Sequence, residues 1–252
     1  MNDHRGRKIN SAAAALARSA IMKKTVFPRS KVVFLFDVDN TLLDNDGVIE
    51  DLRRHIGREF GHEAAQDYWR IFENLRCELG YADYLGALQR FRAEHPHEPR
   101  LLTISRFLLD YPFADRVYPE ALKVMEHVMP AGPAVILSDG DVVFQPHKVE
   151  RSGLSKAVAE RVLIYVHKEM ELEDVERRHP AGHYVLVDDK LRILSAVKTF
   201  WGPRVTTIFV GQGHYAADPG ILAKYPAADI RIGRIGELLE YDPAQLLTGL
   251  AV

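Results

Sequence analysis

The chain has 252 residues, 47% hydrophobic and 27% charged, a balance that suits one large α/β domain or a core domain with a smaller insert. Its formal net charge of -2 gives no broad electrostatic footprint for nucleic acid, and no apolar run approaches the roughly 18 residues that span a bilayer. A single cysteine, Cys77, excludes an internal disulfide and a cysteine-built zinc site and fits a reducing compartment, so a soluble, cytoplasmic protein is expected.

Residues 1–30 are basic and rich in Ala and Ser, and they end in a proline turn. A signal peptide needs an uninterrupted apolar stretch, and residues 12–17 are short, weakly apolar and followed by Arg18. A poorly ordered leader outside the fold is expected, with Met22 as an alternative start of translation.

The next stretch, KVVFLFDVDNTLLDND, opens with an apolar, β-branched and aromatic run over residues 32–36 and stops at Asp37. That pattern predicts a strand buried on both faces of a parallel sheet. Asp37 and Asp39 then lie together at its C-terminal end, where open α/β sheets bind ligands. Two adjacent carboxylates repel unless a cation or a shared proton lies between them.

From Gly47 to about Met129 no strand pattern occurs. Ile49, Leu52, Ile56 and Phe60 recur at helical spacing, as do Ala65, Tyr68, Trp69, Phe72 and Leu75, then Tyr84, Leu88 and Phe91, then Leu101, Ile104, Phe107 and Leu108. Gly57, Gly61, Gly80 and Pro96 are expected at the helix ends. At about 60 residues this unit is too long for a simple crossover and reads as an inserted helical domain over residues 47–115. A further helix over 119–129 returns the chain to the sheet.

Strands are expected over 134–137, 161–166, 184–187, 205–210 and 229–232, with a last helix near 237–241. Strands alternating with helices predict parallel βαβ units, so residues 31–46 and 116–252 form the core. Four of the strands end in polar groups: Asp37 and Asp39; Ser138; the turn at Lys168; Asp188 and Asp189. On one edge of a parallel sheet these side chains converge. Three or four carboxylates around one point call for a hard cation with oxygen ligands, Mg²⁺ foremost. Ser138 and the amides of Asp139 and Gly140 supply donors to phosphate oxygens, and a lysine balances charge. An aspartate can form an aspartyl-phosphate, so the set points to phosphoryl transfer.

FDVDNTLLD, LSDGD, a lysine after a strand and VDDK, in that order, resemble the haloacid dehalogenase-like (HAD) hydrolase superfamily over about residues 31–236. The resemblance implies an α/β fold: a Rossmann-like three-layer core with a parallel sheet, plus an inserted α-helical cap after the first motif. It implies that Asp37 is the nucleophile and that Asp39 is the general acid/base, whose backbone carbonyl also binds Mg²⁺. It further implies that Thr41 steadies the loop at the edge of the substrate site and that Ser138, Asp139 and Gly140 bind phosphate. Asp189, with Asp188 beside it, matches the metal ligand. Lys168 is preferred as the motif lysine over Lys148, which follows the second motif. Two positions depart from the family pattern: Asn40 stands where Gly is commonest, and Ile193 where a further acid can occur.

An acid at position 39 favours phosphate esters over haloacids, because an alkoxide leaving group needs a proton donor within reach. The expected activity is a Mg²⁺-dependent phosphatase acting on a small phosphorylated metabolite. A phosphomutase and an inactive HAD-fold binding protein are the alternatives. The expected partner is that small substrate, with no nucleic acid and no membrane, in a monomer or homodimer. Trp69, Tyr68, Tyr81 and Tyr84 read as packing of the helical insert rather than as a substrate pocket, Arg76 as a solvated group with binding of a second anionic group of a substrate as the alternative, and Phe144 and Val149 as packing residues. His147, His167, His183 and His214 read as surface groups, and Gly211 to Gly213 as a weakly phosphate-like turn.

Overall fold

The structure, a computed structural model, describes residues 30–247. The expectation of a leader at the N-terminus therefore lies, but for Ser30, outside the described residues. Six strands form one parallel sheet in the order β3-β2-β1-β4-β5-β6. They are β1 (Ser30–Phe36), β2 (Ala134–Asp139), β3 (Val162–Tyr165), β4 (Ala181–Asp188), β5 (Val205–Val210) and β6 (Ile230–Ile232). Because β1 lies between β2 and β4, the chain builds outward to one side of β1 and then to the other. Its C-terminal end is thus the switch point of the sheet, where a crevice opens.

The apolar run of β1 is buried on both faces, as its composition predicts. Alternate residues serve different layers: Val32, Phe34 and Phe36 join one core, and Val33 and Leu35 the other. Register then places Phe36 opposite both Ile136 and Val187, so the ends of β2 and β4 flank Asp37. Two strands run further than the apolar residues indicate: β2 continues through Ser138 and Asp139, and β4 begins at Ala181. The last helix is a 3-10 segment, Ile235–Glu240.

Between β1 and β2 come four helices, α1 (Asn45–Phe60), α2 (His62–Leu79), α3 (Tyr84–Glu94) and α4 (Leu101–Asp110), and then α5 (Ala121–Val128). Asp44 caps α1 by accepting the Gly47 amide at 2.9 Å. Gly57 does not end a helix but lies inside α1; the break comes at Gly61, where φ is +78°. α2 stops at Gly80 (φ +80°), which returns its N–H to the Arg76 carbonyl. The buried faces of these helices share one continuous apolar cluster with a face of the sheet.

The chain leaves the sheet and returns at one tied junction. Leu43 pairs with Val117, and the Asp44 amide donates to the Arg116 carbonyl at 2.8 Å. The Arg116 guanidinium bonds Asp44 and Asp51, and Asp51 also accepts from the Tyr111 hydroxyl. Partial burial raises the Asp51 carboxyl, but hydrogen bonds from Tyr111, Arg116 and Arg54 outweigh it and hold the group at about 2. A folded value below the ordinary 3.8 means that this tie stabilises the fold above about pH 4 and is lost as the pH falls toward 2. Asp51→Asn should lower Tm by about 2–4 °C at pH 7. Calorimetry across pH should show the gap to the wild type narrowing below pH 4.

Candidate active site

Asp37 stands one residue past β1 and is almost fully buried. Its Oδ1 accepts from Lys168 Nζ at 2.5 Å, and its Oδ2 from the Thr41 hydroxyl at 3.2 Å. Lys168 arrives from the turn after β3, where its own amide is held by Asp139 Oδ1 at 2.7 Å. Its ammonium also meets Asp188 Oδ2 at 2.7 Å and the Leu137 carbonyl at 3.2 Å. Burial alone would raise the Asp37 carboxyl. The charges of Lys168 and Lys190 outweigh it, together with hydrogen bonds from Lys168 and the Val38 amide, and hold Asp37 ionised below the ordinary range.

The end of β4 completes an acidic corner. Asp37, Asp188 and Asp189 each bring a carboxylate oxygen within 4.8 Å of the others. Burial raises Asp188 to about 6 against the pull of Lys168, and it raises Asp189 well above its ordinary value. Both oxygens of Asp189 are buried with no hydrogen-bond partner. A buried carboxylate without a partner is costly, and a hard divalent cation with oxygen ligands fits this donor set. Asp39 does not join the cluster through its side chain. Its Oδ1 accepts from Lys148 Nζ at 2.8 Å, and that buried ammonium also donates to Asn45 Oδ1 at 2.9 Å. The two lysines therefore divide the acids: Lys168 reaches Asp37, and Lys148 reaches Asp39.

Above the acids lies a cleft of about 820 Å³ between the sheet edge and α1 to α3. Asp39, Asp139 and Gly140 line it, whereas Asp37, Thr41, Ser138, Lys168, Asp188 and Asp189 are buried and do not line it. Ser138 Oγ accepts from Gln145 Nε2 at 2.9 Å. A Cβ at residue 140 would meet the Gln145 side chain at 2.5 Å, so this turn requires Gly140.

The loop after Asp37 is held by residues that the sequence reading left without a role. Asn40 adopts φ +60°, a conformation that Gly or Asn accepts most readily. Its side chain accepts the amides of Asn45 and Asp46 at 3.1 Å each and donates to Asp46 at 3.0 Å. Gln212 donates to the Thr41 carbonyl at 3.1 Å and accepts the Ile235 amide at 2.7 Å. His214 is partnered by Asp46 at 2.7 Å, and His183 by Thr206 at 2.9 Å. Lys190, the last residue of VDDK, also lines the cleft. Burial lowers it, but Asp189, Asp37, Asp188 and Asp139 raise it far above the ordinary lysine value, so it is a second cation facing the acids. Its place directly after two aspartates was the available signal. Tyr68 is core, with its hydroxyl on the Tyr84 carbonyl at 3.1 Å, and Arg76 is engaged by Glu73 at 2.7 Å.

The switch point of this parallel sheet thus carries a buried, ionised aspartate paired with a buried lysine. No family model and no curated protein matches the chain. Among solved structures it is similar to a haloacid dehalogenase-like hydrolase from Burkholderia xenovorans LB400, at 61% identity and a TM-score of 0.82, over 84% of this chain and 99% of that one. The fold is shared with the L-2-haloacid dehalogenase of Xanthobacter autotrophicus, at 21% identity and a TM-score of 0.54, over 84% and 97% of the two chains. It is also shared with the HAD-hydrolase YfnB of Bacillus subtilis, there bound to magnesium, at 15% identity and a TM-score of 0.54, over 84% and 98%. The chain belongs to the haloacid dehalogenase-like hydrolase family. Among the described residues no helix is long and apolar enough to cross a membrane.

Removing one partner of a buried ion pair leaves a bare charge, so Lys168→Met should cost about 3–5 kcal/mol in denaturant unfolding. Asp189→Asn should have the opposite sign without metal. Acids whose folded pKa is raised favour the fold at low pH and lose that contribution as the pH rises, through about 6 for Asp188. The variant should therefore match the wild type near pH 4, melt about 2–4 °C higher at pH 7.5, and lose the Mg²⁺-induced rise in Tm that the wild type should show.

Proposed function

We propose that this hydrolase is a Mg²⁺-dependent phosphatase acting on a small phosphorylated metabolite through an aspartyl-phosphate on Asp37. The observation that supports this reading best is Asp39, an acid two residues beyond Asp37 that lines the cleft. Displacing a halide needs no proton, whereas expelling an alkoxide does. Lys148 occupies Asp39 Oδ1, so the other oxygen would serve the leaving group.

Asp37, steered by Lys168 and Thr41, attacks phosphorus; a P–O bond forms to its carboxylate and the ester P–O bond breaks. Asp39 delivers a proton to the departing oxygen. In the second half Asp39 takes a proton from water, whose oxygen attacks phosphorus and frees the Asp37 carboxylate with release of phosphate. The Asp139 amide would donate to a phosphate oxygen, whereas the Gly140 amide, expected to do the same, already donates to the Tyr165 carbonyl at 2.9 Å. A Mg²⁺ held by Asp37, Asp188 and Asp189 would neutralise charge on the transferring group. The helices α1 to α4 act as a cap over the reaction.

With p-nitrophenyl phosphate, the purified protein should release inorganic phosphate in Mg²⁺ and lose that activity in EDTA. Asp37→Asn should abolish turnover with the fold intact, and full activity in that variant would overturn the reading. Asp39→Asn should lower kcat by about 10²–10⁴, more for alkyl esters than for p-nitrophenyl phosphate, whose leaving group needs less proton assistance.

A further inference from the structure

The cap side of the cleft carries two hydrogen-bond donors with nothing to bond. Tyr84 is 3% exposed, and its hydroxyl is buried with no partner. Asn45, which faces it, gives its amide oxygen to Lys148, so it can meet the Tyr84 oxygen only as a donor and leaves the hydroxyl proton without an acceptor. Trp69 Nε1 is likewise buried without a partner. Both side chains line the cleft. The rings between them form a continuous wall: Tyr84 stacks on Phe72 at 4.8 Å, and Phe72 meets the Trp69 edge at 5.4 Å. Beyond them the Arg53 guanidinium lies over the indole, 4.7 Å from its centroid, and also lines the cleft. Arg53 makes no ion pair among the described residues, whereas Arg76 nearby is taken by Glu73.

An unsatisfied buried donor is costly, and two of them on one wall of a cleft point to acceptors that arrive with a ligand. The wall starts beside Asp39 and ends at Arg53. A substrate with its phosphate at Asp37 therefore lays its organic body along Tyr84 and Phe72 and ends near Trp69 and Arg53. One free guanidinium with a neutral N–H beside it matches a planar monoanion, which Arg binds through two parallel hydrogen bonds. A second phosphate dianion would call for more positive charge than this end of the cleft offers.

We infer that the substrate is a phosphate monoester of an organic acid, with its carboxylate held by Arg53 and Trp69 Nε1 and an oxygen nearer the ester held by the Tyr84 hydroxyl. This rests on the phosphatase reading for the phosphate end only. The aromatic wall accommodates a flat or compact body between the two anionic ends.

The test compares 4-carboxyphenyl phosphate with phenyl phosphate, which differ only in the carboxylate. Wild-type protein should prefer the carboxylated ester by tenfold or more in kcat/KM, chiefly through KM. Arg53→Met and Trp69→Phe should each bring that ratio toward one, and Tm should verify that both variants fold. A ratio near one in the wild type, or a ratio that neither variant moves, overturns the inference. A parallel calorimetric measurement uses the unhydrolysed pair 4-carboxyphenylphosphonate and phenylphosphonate with Mg²⁺. If neither ester is turned over but the carboxylated phosphonate binds tenfold tighter and Arg53→Met removes the difference, the carboxylate site stands and the phosphatase reading falls. Equal turnover of both esters has the reverse meaning.

Discussion

One ammonium group organises this molecule. Lys168 Nζ is buried at the sheet edge and touches Asp37, Asp188 and the Leu137 carbonyl, so it links the ends of three neighbouring strands. A charge in that position is tolerable only with partners, and the partners are available only because β2, β1 and β4 lie side by side. The lysine in turn fixes the Asp37 carboxylate in one orientation and keeps it ionised. It does not satisfy Asp189, whose two oxygens are buried and bare. Three carboxylates around one ammonium leave a deficit of positive charge, and Lys190 offsets only part of it at a greater distance. The donor set of this corner fits a hard divalent cation.

The second constraint is the junction at Leu43 to Asp44 and Arg116 to Val117. All four insert helices hang from these two neighbouring crossings, which Arg116 binds to Asp44 and Asp51. Because the insert shares its apolar cluster with the sheet, its aromatic wall is set opposite the catalytic edge at a defined position. Tyr84 shows the consequence. It packs in the insert, meets Phe144 from the segment after β2 at 5.4 Å, and still presents an unpartnered hydroxyl to the cleft.

Much of this was legible in advance because the relevant forces are local. The run before Asp37 announces a doubly buried strand, since only the centre of a parallel sheet hides both faces of five consecutive residues. Helical spacing likewise announces α1 to α4. The strand-end positions of Asp37, Ser138, Lys168 and Asp188 follow from counting along apolar runs. Where local signals compete, reading fails. Gly57 looks like a break, yet packing of Ile56 and Phe60 carries α1 through it. Asn40 looks like a departure from a preferred glycine, yet its side chain ties the loop together while the backbone takes the same left-handed turn. Gln212 carried no distinct signal, because it acts through groups far away in the chain, and the signal for Lys190 was its place directly after Asp188 and Asp189.

By itself, then, the sequence determined the sheet, the presence of the helical insert and the set of acids at the strand ends, because each is written in the period and chemistry of a short stretch. Tertiary structure alone decided which lysine serves which acid, sending Lys168 to Asp37 and Lys148 to Asp39. It also decided that Asp189 is left bare and that Trp69 and Tyr84 face the cleft with unused donors. These are relations between residues up to about a hundred and thirty positions apart, such as Asp37 and Lys168. Only the closing of the sheet and the docking of the insert bring their side chains within hydrogen-bond range.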